Sequence, residues 1–415
     1  MPRTAGNPTS IDLFCGAGGL TLGLGRAGFE AALGSDLWEP AAATFEYNFE
    51  GVPVLSADAR DITGADLLSK AGLAEPPALV VGGPPCQGFS SAGGRNTGDE
   101  RNTLVARFAE LVAEVRPTLF VFENVEGFLT MSGGDFVVDL LDPLVEAGYL
   151  IEARKINVAN FGVPQLRKRI LIVGALGAPP YPEPTHRAHG APGVHRGVSD
   201  RLPLVPSVAD ALFDLPPASE ERPGVPSDHV MRRLSAEDRA RMSHLGAGQT
   251  MRDLPEGMQH PSFQRRANRR VSDGIPSDRR GGAPAGLRRL RADEPSKAIT
   301  GAASREFVHP LEDRPLTLRE CARLQTFPDD FEFVGTQNDK AILIGNAVPP
   351  DFGEALGRCL FARALEGPAE ECAGGLVNFR PTAASGVSRA LREVEDRIRG
   401  RYDCAQVSEQ GTLWG

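Results

Sequence analysis

Through its first half the chain alternates short apolar runs with amphipathic stretches, and few architectures accommodate that rhythm. Ser10–Phe14 is followed by Leu20–Ala27, Ala31–Ser35 by Pro40–Phe49, Ala78–Val81 by Leu104–Val115, and Leu119–Phe122 by Phe136–Ala147. Runs this short and this apolar read as strands covered on both faces, and the amphipathic stretches are long enough to cross back over them as helices. The pattern predicts an α/β fold with a mostly parallel sheet, in which ligands bind beyond the carboxyl ends of the strands. Tyr149–Ile156 and Arg169–Leu176 read as two more strands flanking the loop Asn157–Lys168.

From about Gly177 the texture shifts to Pro, Gly, His and Arg, with PSVADALFDLP as one short helical candidate and little periodicity until Leu287. Pattern returns with Leu316–Phe327, stopped by Pro328, and with Pro350–Leu365, whose paired prolines suit a helix start. Val387–Arg401 could form an amphipathic helix in an otherwise weakly patterned tail. A single core stops growing near roughly 250–300 residues, so 415 residues at 41% hydrophobic imply two lobes. The expected division is a sheet domain over residues 1–180, an irregular insertion over 181–290, a return to the sheet domain over 291–366, and a tail over 367–415.

The net charge of −9 argues against a uniformly basic surface, yet fourteen arginines against six acidic residues lie between Met231 and Arg291. Such an island on an acidic chain suits nucleic-acid phosphates, although arginine clusters are more often simply solvated. No apolar run approaches the ~18 residues of a membrane span, and the first ten residues lack the core of a secretory signal. A soluble, intracellular protein is expected. Its six cysteines are scattered without a CxxC pair, so neither a disulfide framework nor a metal site is expected.

In SIDLFCGAGGLTLGL, Gly16, Gly18 and Gly19 fall between the first strand and a helix, where absent side chains let backbone approach a nucleotide-like cofactor. Asp36 and Asp58, at the ends of the next two strands, could meet a ribose hydroxyl and an adenine amino group, although each could equally be a turn aspartate. ALVVGGPPCQGFSSAGG is more specific: a strand runs through two glycines and two prolines onto Cys86, a stiffened elbow for a nucleophilic thiol. Residues 90–102 suit a mobile closing loop. TLFVFENVEG delivers Glu123 after an apolar run, so a partly desolvated carboxyl could exchange a proton with a ring nitrogen. NFGVPQLRKRILIVG sets Arg167 and Arg169 on one side of a strand start, a pair able to grip a phosphate or base oxygen.

With GxGG, PPCQ, ENV, QxRxR, EPSKAITG, LTLRECARLQTFPDDF and GNAVPP in this order, the chain resembles the DNA cytosine-5 methyltransferase family from Ser10 to about Leu365. The resemblance implies a Rossmann-like S-adenosylmethionine-dependent methyltransferase sheet with a second, smaller and irregular target-recognition domain. It implies that Phe14, Gly16, Gly18, Gly19, Asp36, Asp58, Asn346 and Val348 hold S-adenosylmethionine. Cys86 would be the nucleophile, Glu123 would hold cytosine N3 and its amine, Asn124 would brace the site, Arg167 and Arg169 would anchor base and backbone, and Arg319 to Gln325 would buttress the lobes. Where the family often shows GDI, this chain has Ala57-Asp58-Ala59.

The partner is then double-stranded DNA, with Gln87, Ser90, Arg265, Arg266, Arg269 and Arg270 as candidate contacts. Either a cognate restriction endonuclease acting separately or a solitary role in epigenetic marking fits this layout, and a monomeric state and a bacterial cytoplasmic, nucleoid-associated location complete the expectation. The competing readings are a transfer-RNA cytosine-5 methyltransferase, a non-catalytic DNA-binding homologue and, more remotely, a Rossmann dehydrogenase, which offers no task for PPCQ.

Overall fold

The computed structural model describes residues 6–85, 103–188, 201–218, 225–268, 286–369, 373–380 and 389–402. In chain order its elements are β1 (Thr9–Leu13), α1 (Gly19–Arg26), β2 (Glu30–Ser35), α2 (Glu39–Asn48), β3 (Val54–Leu55), α3 (Gly64–Lys70), β4 (Leu79–Gly82), α4 (Thr103–Val115), β5 (Leu119–Asn124), α5 (Asp135–Glu146), β6 (Leu150–Asn157), β7 (Gln165–Leu166) and β8 (Lys168–Ala175). There follow α6 (Val208–Leu212), α7 (Ala236–Ser243), α8 (Pro261–Asn268), β9 (Arg288–Arg289), β10 (Ser296–Lys297), α9 (Ala303–Glu306), β11 (Phe307–Val308), α10 (Leu318–Leu324), α11 (Gln337–Asn346), α12 (Pro350–Glu366), β12 (Gly375–Arg380) and α13 (Arg389–Tyr402).

The first compact unit comprises residues 1–162, 168–204 and 348–415. Its eight-stranded sheet runs β12-β6-β8-β5-β4-β1-β2-β3. Every pairing is parallel except those of β8, which is antiparallel to both β5 and β6. The apolar runs become its strands because they are buried on both faces: Val80, Val81, Phe120, Phe122 and Ile172 have no solvent exposure. In α4, buried Leu104, Val105, Phe108, Leu111, Val112 and Val115 recur at helical spacing and turn one stripe to the sheet.

One consequence of the reversed strand matters for the site. Asn124 at the end of β5 pairs with Ile170 near the start of β8, so the first residues of β8 arrive at the carboxyl end of the parallel strands. Arg169 is carried there by the register.

The second unit comprises residues 163–167 and 205–347. The expected boundaries shift accordingly. Residues 291–347 belong to this unit and not with the sheet domain, because β10 pairs with β7 and β11 with β9. The tail also contains a strand that sequence pattern does not announce, β12, lying parallel on β6.

Having little sheet, the second unit leaves many carbonyls without a ladder partner, and buried arginines take them up. Arg319, fully buried, donates to Ser227 O, Ser227 Oγ, Pro328 O and Phe331 O at 2.7–2.9 Å. Arg289 donates to Leu245 O, Met242 O, His309 O and Glu312 O at 2.6–2.8 Å. Arg314 grips both oxygens of buried Glu320 at 2.7 and 2.9 Å. A small apolar cluster of Met242, Leu245, Met251, Leu254, Phe263, Leu287 and Val308 completes this part of the unit. Among the described residues no helix is long and apolar enough to cross a membrane.

Candidate active site

The site is assembled at the carboxyl ends of β1, β2, β4 and β5. Beyond β1, Phe14 takes a left-handed backbone (φ 58°) and Gly16 another (φ 55°), so the chain doubles back before α1. Phe14 is the informative one, because a non-glycine residue held there carries strain of order 1 kcal/mol that usually marks a functional turn. A side chain at Gly16 would project into open space, which leaves the turn accessible to a ligand. Gly18 is glycine for a different reason: at φ 83° its missing Cβ would fall 2.3 Å from the Phe49 ring. Gly19 begins α1.

Asp36 follows β2 and receives the backbone N–H of Gly16 at 3.0 Å on one oxygen and that of Trp38 at 2.9 Å on the other. Burial raises its carboxyl above the usual range, while N–H donors from Trp38, Gly16 and Leu37 pull the other way. Each oxygen still has a lone pair to offer a ribose hydroxyl. Open space before Gly16, a carboxylate at Asp36 and the exposed Leu37 beside it (63%) together fit an adenosine-bearing cofactor.

Asp58 lies three residues past the end of β3, and Arg60 occupies both its oxygens, Nε to Oδ1 at 3.0 Å and Nη2 to Oδ2 at 2.6 Å. That arginine, above all, lowers the Asp58 carboxyl. The partner is local and the sequence motif alone does not reveal it.

Glu123, at the end of β5, pairs with Arg169: Nε to Oε1 is 2.7 Å, with both side chains largely buried. Its second oxygen lies over Gly83, where a Cβ would sit 3.3 Å from Glu123 O and 3.4 Å from Oε2. Gly83 therefore admits the carboxylate to the end of β4. Asn124 is buried; its Oδ1 accepts the Val125 N–H at 2.9 Å and its Nδ2 donates to Pro84 O at 3.2 Å. The ENV segment is thus tied to the loop two residues ahead of Cys86 in sequence. Cys86, Gln87, Ser90, Arg269 and Arg270 lie outside the described residues. Arg265 and Arg266 fall on α8.

Arg167 and Arg169 do not form one grip, which corrects the reading of QxRxR as a pair on one side of a strand. The ribbon breaks between β7 and β8, leaving Arg167 in the second unit and Arg169 in the first. The guanidinium of Arg167 is buried and donates to Ile299 O at 2.8 Å, Gly345 O at 2.9 Å and Asn346 O at 3.3 Å. Asn346 is exposed at the end of α11 in the second unit, and Val348 precedes α12 in the first.

Sequence reasoning passed over Asp12, inside β1. Thr21 Oγ1 donates to its Oδ2 at 2.6 Å, and burial, with the nearby Asp36 charge adding to it, pushes the carboxyl up to about 7. A lone acid within SIDLF was the available signal. Cys15 lies beside it, its thiol raised by burial and by both aspartates, and is unsuited to act as a nucleophile. Among the described residues no cluster of three or more His, Cys, Asp or Glu could hold a metal ion.

A glycine turn after β1 bonded to a carboxylate after β2, and an ion-paired carboxylate at the end of β5 with the proline loop of β4 between β1 and β5, define an α/β fold with its polar residues gathered at the carboxyl ends of the parallel strands. The chain belongs to the C-5 cytosine-specific DNA methylases, the family matched by residues 9–362. It is 33% identical over 353 residues to the Type II methyltransferase M1.HphI of Haemophilus parahaemolyticus, covering 84% of this chain and 85% of that one. It is 32% identical over 418 residues to M.AgeI of Thalassovita gelatinovora, covering 84% and 97%. A DNA modification methyltransferase encoded within an E. coli prophage shares the fold, with a TM-score of 0.63, 23% identity and coverage of 86% and 99%. So does the S. pombe Dnmt2 methyltransferase, with a TM-score of 0.53, 16% identity and coverage of 86% and 98%.

Proposed function

We propose that this enzyme methylates C5 of a cytosine extruded from a specific duplex DNA sequence, with S-adenosylmethionine as donor, as the modification enzyme of a Type II restriction-modification pair. The observation that carries the reading is the clasp of Glu123 by Arg169, beside Gly83 and next to an asparagine bonded to Pro84. The Type II names of the relatives support the assignment to restriction-modification.

Cytosine C5 is a weak nucleophile until C6 is occupied. In this proposal the Cys86 thiolate forms a bond to C6 while Glu123, held by Arg169, hydrogen-bonds N3 as it becomes protonated and accepts from the exocyclic amine. The ring electrons then concentrate at C5. When bound, S-adenosylmethionine supplies an electrophilic methyl group. Phe14, the Gly16–Gly19 turn and Asp36 hold it, with Asp58 contributing where Arg60 shares its oxygens. After methylation the C5 proton leaves to a base, the C6–S bond breaks, and Cys86 departs as thiolate. Extruding the base costs a few kcal/mol, which contacts to the duplex must offset. Gln87, Ser90, Arg265, Arg266, Arg269 and Arg270 are the proposed contacts, and the exposed residues Arg232, Arg233, Arg239 and Arg252 add guanidinium groups in the second unit.

The test is transfer of labelled methyl from S-adenosylmethionine to duplex DNA, followed by mapping of the adduct on an oligonucleotide containing 5-fluorocytosine. The adduct is expected at Cys86, and Cys86→Ser should abolish transfer while keeping DNA binding. Transfer to transfer RNA alone, or an adduct through another residue, would overturn the proposal.

A further inference from the structure

Residues beyond 362 lie outside the family match, yet among them the described strand β12 and helix α13 are folded onto the sheet domain. In α13, Val394, Ile398 and Tyr402 recur every fourth residue and are buried, forming one stripe that covers α5 and the 3-10 segment Glu126–Gly134. That 3-10 segment issues directly from the ENV motif, with Val125 as its N-cap.

Left to itself the segment is a weak element. Helices of 3-10 type have strained hydrogen bonds and rarely exceed a few residues. Here the run is broken: Met131 is extended (φ −65°, ψ 138°), and Ser132, Gly133 and Gly134 are successively left-handed at φ 47°, 62° and 92°. Two side chains of α13 close on this break. Arg397 Nη1 donates to Gly133 O at 3.1 Å and to Asp135 Oδ1 at 2.8 Å. Val394 packs so closely that a Cβ on Gly134 would lie 3.0 Å from its Cγ1. At the other end, Lys155 Nζ holds Glu126 at 2.9 Å, and Val125 N–H fixes Asn124, whose amide reaches Pro84 O.

We propose that α13 is a positioning element for methyl transfer: Val394 and Arg397 fix the break at 131–134, and through the 3-10 segment they fix Asn124 and the backbone ahead of Cys86. The proposal rests on the reading of Cys86, Glu123 and Asn124 as the reacting site. A helix that only covered apolar surface would transmit its loss to stability alone. Arg401 gives the control. One turn further along α13, its guanidinium binds Asp142 of α5 at 2.8 and 3.0 Å, where Arg397 binds Gly133 O of the 3-10 segment.

Full-length Val394→Ala, Arg397→Ala, Arg397→Lys and Arg401→Ala are compared by single-turnover methyl transfer to duplex DNA, by KM for DNA and cofactor, and by urea midpoint. Val394→Ala and Arg397→Ala should each lower kcat at least threefold, with both KM values within twofold. Arg397→Lys should recover part of the loss, and Arg401→Ala should retain wild-type kcat. Equal loss in Arg401→Ala, or undiminished kcat in Arg397→Ala, overturns the proposal. If Val394→Ala fails to fold, the Arg397 and Arg401 comparison decides. Wild-type protein without Cys86-dependent transfer would instead defeat the underlying reading, a distinguishable outcome.

Discussion

Replacing Asp12 by asparagine should flatten the dependence of stability on pH between about 4 and 7. The folded chain holds this carboxyl at about 7 against an ordinary 3.8, burial being the main cause. A raised carboxyl keeps a proton that the unfolded chain has already released, so stability is full below pH 4, falls as pH rises, and has lost the whole contribution above 7. Roughly three pH units at about 1.4 kcal/mol each set the contribution near 4 kcal/mol. Asparagine cannot ionise, and its Oδ1 can still accept the Thr21 hydroxyl that Asp12 accepts at 2.6 Å. Asp36, Asp139 and Asp351 are also raised by burial and tilt the curve in the same direction in both proteins, so they largely cancel in the difference. Urea unfolding of both proteins from pH 4.5 to 8.5, with m-values compared, measures it. The variant should gain on the wild type by several kcal/mol across the series. Parallel curves would refute the account of Asp12 as a buried neutral acid.

Four further outcomes follow from the geometry. Asp36→Ala should weaken S-adenosylmethionine binding about tenfold by calorimetry, and Asp58→Ala less, because Arg60 already engages both Asp58 oxygens; the opposite ranking would refute the assignment. Gly83→Ala should lower kcat about tenfold with little change in urea midpoint, since its methyl meets Glu123 at 3.3–3.4 Å, and full activity would show that the carboxylate does not need that space. Arg319→Ala should cost about 3–5 kcal/mol in unfolding, having removed a fully buried guanidinium and left four acceptors, one buried and three part-buried, without their donor, and a loss below 1 kcal/mol would contradict the role given to that side chain. Native protein treated with a disulfide reagent at pH 8 should leave Cys15 and Cys321 unmodified, because burial raises both thiols; rapid labelling of either would refute their burial.

The sheet domain was legible because its strands are buried on both faces and its helices on one, so hydrophobic period alone separates them. The predicted helix Leu104–Val115 becomes Thr103–Val115, and Arg169–Leu176 becomes the strand Lys168–Ala175. Val387–Arg401 becomes the helix Arg389–Tyr402. In the second unit only short helices were legible, PSVADALFDLP giving Val208–Leu212 and Leu316–Phe327 giving Leu318–Leu324; much of its remaining order comes from guanidinium groups reaching carbonyls far away in sequence, as from Arg319 to Ser227, and such bonds leave no period. The same arginines qualify the charge argument. Within the island between Met231 and Arg291, Arg289 is buried among carbonyls and Arg241 is bound to Met258 O and Asp238, so part of that charge is spent inside the unit.

At the site, sequence spacing identified Glu123 and Arg169 but not what joins them. Two residues 46 positions apart meet because β8 alone runs against its neighbours, bringing its first residues to the end where the parallel strands deliver theirs. Had β8 been parallel, Arg169 would begin at the opposite edge of the sheet, a strand's length from Glu123. Arg167 is separated from Arg169 by the unit boundary between β7, which ends at Leu166, and β8, which begins at Lys168. A motif that reads as one basic pair therefore performs two tasks, one arginine orienting a carboxylate and the other gathering the carbonyls of Ile299, Gly345 and Asn346. Arg169→Lys tests this division, because a lysine keeps the charge but has no planar Nε donor to direct along Oε1. It should lower kcat while leaving the urea midpoint nearly unchanged, whereas Arg167→Lys should lower the midpoint; an exchange of those two signatures would mean that the break between β7 and β8 does not divide their roles.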